Sequence, residues 1–196
     1  MLPMRLLLTA FVLLLAASAS AQTAPQAAAP LPPVPRLAPA DSAALVTRLA
    51  SPDSVIAILY RVISGPAGQR RDWDLFRRLF VAQGRLVPTG RDQQGNVRYR
   101  AMTPEDYVRL SGPVLEERGF FETETHRVAE QYGHVYHAFS SYESRATPEA
   151  APFARGINSI QLLQMNGRWW VVSVFWGDEQ STRTPIPAKY GGTGQP

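Results

Sequence analysis

The chain has 196 residues, 20 basic and 16 acidic side chains, a formal charge of +4 and no cysteine. That length allows one domain with a real core, and without disulfides the core itself must hold the fold. The basic excess is scattered, and its densest group (Arg70, Arg71, Arg77, Arg78) is interleaved with Asp72 and Asp74, which suggests a solvated helix face and excludes a nucleic-acid footprint.

The chain opens with a short basic start ending at Arg5, an unbroken apolar run from Leu6 to Ala17, and the small residues Ala19-Ser20-Ala21. This pattern predicts a secretory signal peptide over 1–21, cleaved after Ala21, and hence an exported protein, periplasmic or secreted. An uncleaved anchor is the alternative, although the run is short for one. No cysteine follows that could carry a lipid, and no other membrane segment is expected. Residues 22–40, QTAPQAAAPLPPVPRLAPA, form a Pro/Ala-rich linker with nothing to bury. A globular composition then runs over 41–182, with 183–196 as a C-terminal tail.

Three helices follow from their start signals. Ser51-Pro52-Asp53 places a capping serine before a proline, and Ile56, Leu59, Tyr60 and Ile63 recur at helical spacing. Asp72 caps a second helix with Trp73, Phe76, Leu79 and Phe80 on one side and Gly84 beyond its end. Thr103-Pro104-Glu105-Asp106 starts a third, with Tyr107, Leu110, Val114 and Leu115 apolar and Gly119 as its stop.

Six strands complete the pattern: Arg85–Pro88, Asn96–Met102, Phe120–Gln131, His134–Arg145, Arg155–Met165 and Arg168–Trp176. The last two meet at Asn166-Gly167, a strong hairpin turn, because both turn positions need positive φ. Helices first and antiparallel strands last predict an α+β domain, its helices packed on one face of a curved sheet. Strict alternation from that turn puts Ser159, Gln161, Trp170, Val174 and Trp176 on one side, and Asn158, Ile160, Leu162, Trp169, Val171 and Phe175 on the other. Both sides are largely apolar. Helices can cover only one, so a homodimer through the sheet is expected.

The segment HVYHAFSSYESR (134–145) holds two of the three histidines. His134 and His137 are three apart and point to opposite faces of a strand, so they cannot share a metal ion. No metal and no cofactor is expected. His137, Ser141 and Glu143 lie on one face, too extended for a tight His–Glu pair, and no Ser–His–Asp set or phosphate-cradling glycine loop is visible.

This order of elements, with the motifs RDWDLFRRLF, YGHVYHAFSSYES, RGINSIQLL and GRWWVVSVFW, resembles the nuclear-transport-factor-2-like superfamily (SnoaL-like or ketosteroid-isomerase-like) over about Ser51 to Glu179, and is similar to its exported bacterial members. The resemblance implies a cone-shaped domain with three N-terminal helices packed on a curved, mostly antiparallel six-stranded sheet. It implies a cavity between them. It does not imply one reaction, since the superfamily holds ketosteroid isomerase, polyketide cyclases, scytalone dehydratase, limonene epoxide hydrolase and non-catalytic members. The first-helix tyrosine of ketosteroid isomerase matches Tyr60 in AILYRVIS. Its general-base aspartate should fall in GRLVPTG, which contains no acid.

A ligand pocket is therefore expected from Tyr60, Trp73, Phe76 and Tyr107 on the helices and His137, Ser141, Gln161, Trp170 and Trp176 on the sheet. Asn158, Ser173 and Tyr142 replace the sheet set if the faces are exchanged. Asp74, His137 and Glu143 are the catalytic candidates, each with an ordinary structural alternative: a helix dipole partner for Asp74, a sheet-edge pair for the others. His126 among Glu122, Glu124 and Glu130 fits an exposed strand. These expectations favour an exported, non-catalytic small-molecule-binding or dimerisation module with an apolar, aromatic-lined pocket that lacks a base. A cofactor-free lyase, isomerase or cyclase is the alternative, and a perturbed carboxylate inside the cavity would favour it.

Overall fold

A computed structural model describes residues 42–194, so the expected signal peptide (1–21) and linker (22–40) lie outside the described residues. A first helix, α1 (Ser42–Arg48), precedes the three expected ones. In α2 (Pro52–Ile63) the expected cap is present. Ser51 Oγ accepts from the Ser54 N–H at 3.2 Å and Ser54 Oγ from the Ser51 N–H at 3.3 Å, with Pro52 at the first helical position. This helix buries Val55, Ile56, Leu59, Tyr60 and Ile63. Asp72 caps α3 (Trp73–Leu79), accepting from the Leu75 N–H at 2.9 Å. Phe80, expected on that helix, turns extended and opens strand β1 (Phe80–Arg91). Gly84 accordingly sits inside the strand, where pairing shifts between Phe80 and Arg85, and not at a helix end.

After the short β2 (Val97–Tyr99) comes α4 (Pro104–Arg118), started by a reciprocal Thr103–Asp106 cap and ended at Gly119 with φ 74°. The meander β3 (Phe121–Tyr132), β4 (Val135–Arg145), β5 (Ala154–Met165) and β6 (Arg168–Asp178) follows, then α5 (Glu179–Thr182) and a 3-10 turn at Ala188–Tyr190. One six-stranded sheet has the order β2-β1-β6-β5-β4-β3, antiparallel throughout except for the parallel pair β1–β6. The domain is α+β, as the element order predicts. Its core joins α2 and α3 to Ala138, Ile160, Leu162 and Val171 of the sheet. No described helix is long and apolar enough to cross a membrane.

Two bulges decide which side chains look inward. Leu162 pairs with Val171 as alternation requires, but the next pair is Gln161 with Ser173, leaving Val172 as an extra residue. The alternation changes phase there. Trp169 and Val171 before the bulge and Val174 after it are all buried in the core, and Trp176 packs against it. In β3 the register shifts between Glu124 and His126, with Thr125 as the extra residue, so that Glu122 faces Ser144 and Glu124 faces Tyr142. Inward on β4 are Ala138, Ser140, Tyr142 and Ser144, all buried.

The outer side of the sheet carries the C-terminal segment. Ile186 is buried, Ser141 Oγ donates to the Tyr190 carbonyl at 2.7 Å, and the Tyr190 ring lies 5.1 Å from Phe139. Residues 183–194, assigned to a tail by composition, are thus a strap pinned across β4. Between strap and sheet is a cavity of about 330 Å³ that includes Phe139, Ile157, Phe175 and Ile186.

Candidate functional site

On the inner side, the helices and the sheet enclose a second cavity of about 280 Å³. Its walls are apolar, from Leu59 and Ile63 on α2, Phe76 on α3, Leu115 on α4 and Val174 and Trp176 on β6. Into this lining project Tyr60, Tyr107, Tyr142, Glu122, Ser144 and Asn158. A mostly apolar cavity with a few convergent polar groups is the usual form of a small-molecule site.

Glu122 is the group that gives the cavity chemistry. Its Oε2 accepts from Ser144 Oγ at 3.0 Å and its Oε1 from Asn158 Nδ2 at 3.3 Å. Both partners are neutral. Burial raises its pKa to about 7, and those two hydrogen bonds hold it from rising further. A carboxyl in this state exchanges its proton near neutral pH.

The three tyrosines behave differently from one another. The Tyr60 hydroxyl is engaged, lying 2.6 Å from Ser140 Oγ and accepting from Asn158 Nδ2 at 3.0 Å. Tyr107 stacks on Phe76 at 5.3 Å, and Tyr142 crosses β5 over Gly156, where an added Cβ would come within 2.6 Å of its hydroxyl. Neither the Tyr107 nor the Tyr142 hydroxyl has a hydrogen-bond partner among the described residues, which leaves both free for a ligand. Burial, and then the charge of Glu122, pushes the pKa of all three well above the ordinary tyrosine value. They stay protonated and able to donate. Asp178 also lines the cavity, but its carboxylate caps α5, accepting from the N–H groups of Gln180 and Ser181 at 3.0 and 2.8 Å. Among the described residues no three His, Asp or Glu side chains gather as a metal site.

The sequence matches no family model and no curated protein. Solved structures do share its architecture. A protein of unknown function with a cystatin-like fold from Nostoc punctiforme aligns with TM-score 0.50 and 10% identity, over 66% of this chain and 90% of that one. An NTF2-like protein with a cystatin-like fold from Novosphingobium aromaticivorans aligns with TM-score 0.50 and 12% identity, over 71% and 86%. The fold is nuclear-transport-factor-2-like.

Within this NTF2-like fold, the helix residues expected at the pocket divide. Tyr60, Phe76 and Tyr107 line the inner cavity. Trp73 does not: its Nε1 donates to Glu116 at 2.8 Å and its ring packs beside Gly112, between α3 and α4. Of the sheet residues only Trp176 lines it. His137, Ser141 and Gln161 lie on the outer side, and Ser141 is buried there beneath the strap. Trp170 is buried on that side too, stacked under the Arg168 guanidinium at 3.4 Å. The faces are therefore exchanged relative to strict alternation, and Asn158 and Tyr142 take the sheet positions. The physical reason is the bulge at Val172, which brings Trp176 inward without bringing Gln161 with it.

The catalytic candidates lie away from the cavity. Asp74 pairs with Arg77 at 3.1 Å on an exposed helix face, its side chain 78% exposed. Glu143 is held by Arg145 and by Arg155 at 3.2 Å on the outer side, and His137 is solvent-exposed there. The pocket, expected to lack a base, is lined by the carboxyl group of Glu122. The signal for Glu122 lay in cross-strand pairing. Opposite Ser144 in a hairpin whose next inward neighbour is Tyr142, it must share the inner face with them.

Proposed function

We propose that the protein is a cofactor-free proton-transfer enzyme of the isomerase type, acting on a small apolar ketone. One observation carries this reading: the Glu122 carboxyl, raised to about 7, faces an apolar cavity in which two tyrosine hydroxyls are free. Such a group takes a proton from a carbon next to a carbonyl at neutral pH, provided the oxygen that gains charge meets hydrogen-bond donors. Tyr107 and Tyr142 supply those donors. Glu122 removes the α-proton of a β,γ-unsaturated ketone, the electron pair moves onto the carbonyl oxygen as an enolate, and Glu122 returns the proton at the γ-carbon. Nothing else is consumed or released. At about 280 Å³ the cavity suits one or two fused rings.

The test uses 3-cyclohexen-1-one and a panel of larger cyclic enones, following conversion to the conjugated isomer by ultraviolet absorbance and α-proton exchange in deuterium oxide by NMR. Catalysis that disappears in Glu122→Gln supports the reading. Enones that bind in the cavity without exchange beyond that of the variant would establish a binding module instead.

Two further properties belong to this proposal. The leader-like sequence of residues 1–21 supports export. The outer sheet side, where Phe175 is 49% and Val135 57% exposed, supports a homodimer formed there.

A further inference from the structure

Asn158 offers its Nδ2 to two acceptors, the Tyr60 hydroxyl at 3.0 Å and Glu122 Oε1 at 3.3 Å. An amide turned over would place its carbonyl oxygen at the same point, so its neighbours must choose the orientation. Tyr60 is the deciding neighbour. Its hydroxyl oxygen, which carries a single proton, lies 2.6 Å from Ser140 Oγ. The Ser140 proton is already given to Glu124, because that carboxylate is gripped by Arg127 through Nε and Nη2 and has only acceptors to offer. Ser140 therefore accepts from Tyr60, and Tyr60 accepts from Asn158. The second amide hydrogen is left for Glu122. Arg127 is itself anchored to Asp53 in the first turn of α2.

We propose that Arg127, Glu124, Ser140 and Tyr60 form a positioning relay that fixes the Asn158 amide, so that Glu122 always meets an N–H and never a carbonyl oxygen. The relay rests on the reading of Glu122 as the working base and deepens it. It also reassigns Tyr60. The hydroxyl that matches the first-helix tyrosine of ketosteroid isomerase has its proton directed at Ser140, which leaves Tyr107 and Tyr142 as the donors to substrate. The groups facing Glu122 are Tyr60 from α2, Tyr107 from α4, Tyr142 and Ser144 from β4, Asn158 from β5, Asp178 from β6 and Glu124 beside it on β3. The two carboxylates among them are held by other donors, and of the two groups hydrogen-bonded to Glu122, Ser144 and Asn158, the amide is the one that the Ser140–Tyr60 chain orients.

The experiment titrates Glu122 by NMR in protein labelled with ¹³C at the glutamate carboxyl, comparing wild type with Ser140→Ala, Ser140→Thr and Asn158→Ala. Removing the donor in Asn158→Ala should raise the midpoint by about one pH unit. Ser140→Ala should raise it in the same direction although Asn158 is intact, because the freed Tyr60 proton turns the amide. Ser140→Thr, which keeps the hydroxyl, should restore the wild-type midpoint. Tyr60→Phe removes the fixed acceptor without touching the serine, and should also raise it if Ser140→Ala does not fold. A Ser140→Ala midpoint equal to wild type, whether or not Asn158→Ala moves it, would overturn the relay. Titration needs no turnover. Absence of isomerase activity would remove the proposed function while leaving the relay standing, and an unmoved midpoint with intact activity would do the reverse.

Discussion

Replacing Glu122 by glutamine should make the protein more stable at alkaline pH while abolishing proton transfer. The carboxyl is driven by burial from an ordinary 4.5 to about 7. Between those values the folded chain keeps a proton that the unfolded chain releases, so stability falls as pH rises through the window. Below 4.5 both states hold the proton and the glutamate costs nothing extra; above 7 the full penalty is present. At 1.36 kcal/mol per pH unit the difference amounts to about 3 kcal/mol, and relaxation around a partly exposed side chain lowers it to between about 1 and 3 kcal/mol. Urea unfolding of wild type and Glu122→Gln at intervals from pH 4.5 to 8.5 measures it. The two should agree near pH 4.5, where protonated glutamate and glutamine have the same shape, and diverge in favour of the variant by pH 8.5. Parallel profiles would show that Glu122 is solvated like any surface acid, and would remove the basis for the catalytic role proposed for it. Stability gained with activity lost is the expected trade at a site that buries a charge for function.

Tyr107→Phe and Tyr142→Phe should each lower kcat by about 10-fold with little change in KM, and together by about 100-fold or more, since each donor compensates in part for the other; steady-state kinetics on the best enone checks this. The kcat/KM profile should rise with a midpoint at about pH 7 as Glu122 loses its proton. Ile186→Ala should destabilise the strap, and with it the protein, by about 2–4 kcal/mol in chemical unfolding, as for a buried aliphatic side chain. Sedimentation at micromolar concentration should show twice the chain mass, and a clean monomer would mean that the strap takes the place of a second subunit. N-terminal sequencing of protein recovered from an exporting host should begin at Gln22.

The elements were legible wherever a local signal is chemically specific. Ser51-Pro52, Asp72 and Thr103-Pro104 start helices because each supplies an acceptor to the orphan N–H groups of a first turn, and all three do so. Asn166-Gly167 turns with φ of 54° and 76°, as its residue types require. The end of α3 was not legible. Phe80 is apolar at the correct helical spacing, and only the parallel pairing of Phe80 with Val171, ninety-one residues later, draws it into β1. The strap was not legible either. Its Pro and Gly content resembles a loose tail, whereas its order comes from one buried isoleucine, one tyrosine on Phe139 and a serine on the sheet.

The site was half legible for a reason that follows from sheet geometry. Helix residues such as Tyr60 and Tyr107 are assigned to the cavity by a period that runs unbroken from cap to stop, so an error cannot accumulate. On a strand, one extra residue reverses every assignment beyond it. Val172 reverses the phase between Val171 and Val174, and Thr125 does so between Glu124 and His126. Neither bulge has a glycine or a proline to announce it. Yet both lie on strands that line the cavity, and both have consequences for its geometry. The first turns Trp176 toward the cavity on the same side as Trp169, and the second lets Arg127 reach back to grip Glu124 three residues earlier. A regular β3 would direct positions 124 and 127 to opposite faces, and the carboxylate at the head of the Ser140–Tyr60–Asn158 chain would lose its cation. The irregularity that hid the site from the sequence is thus part of what builds it.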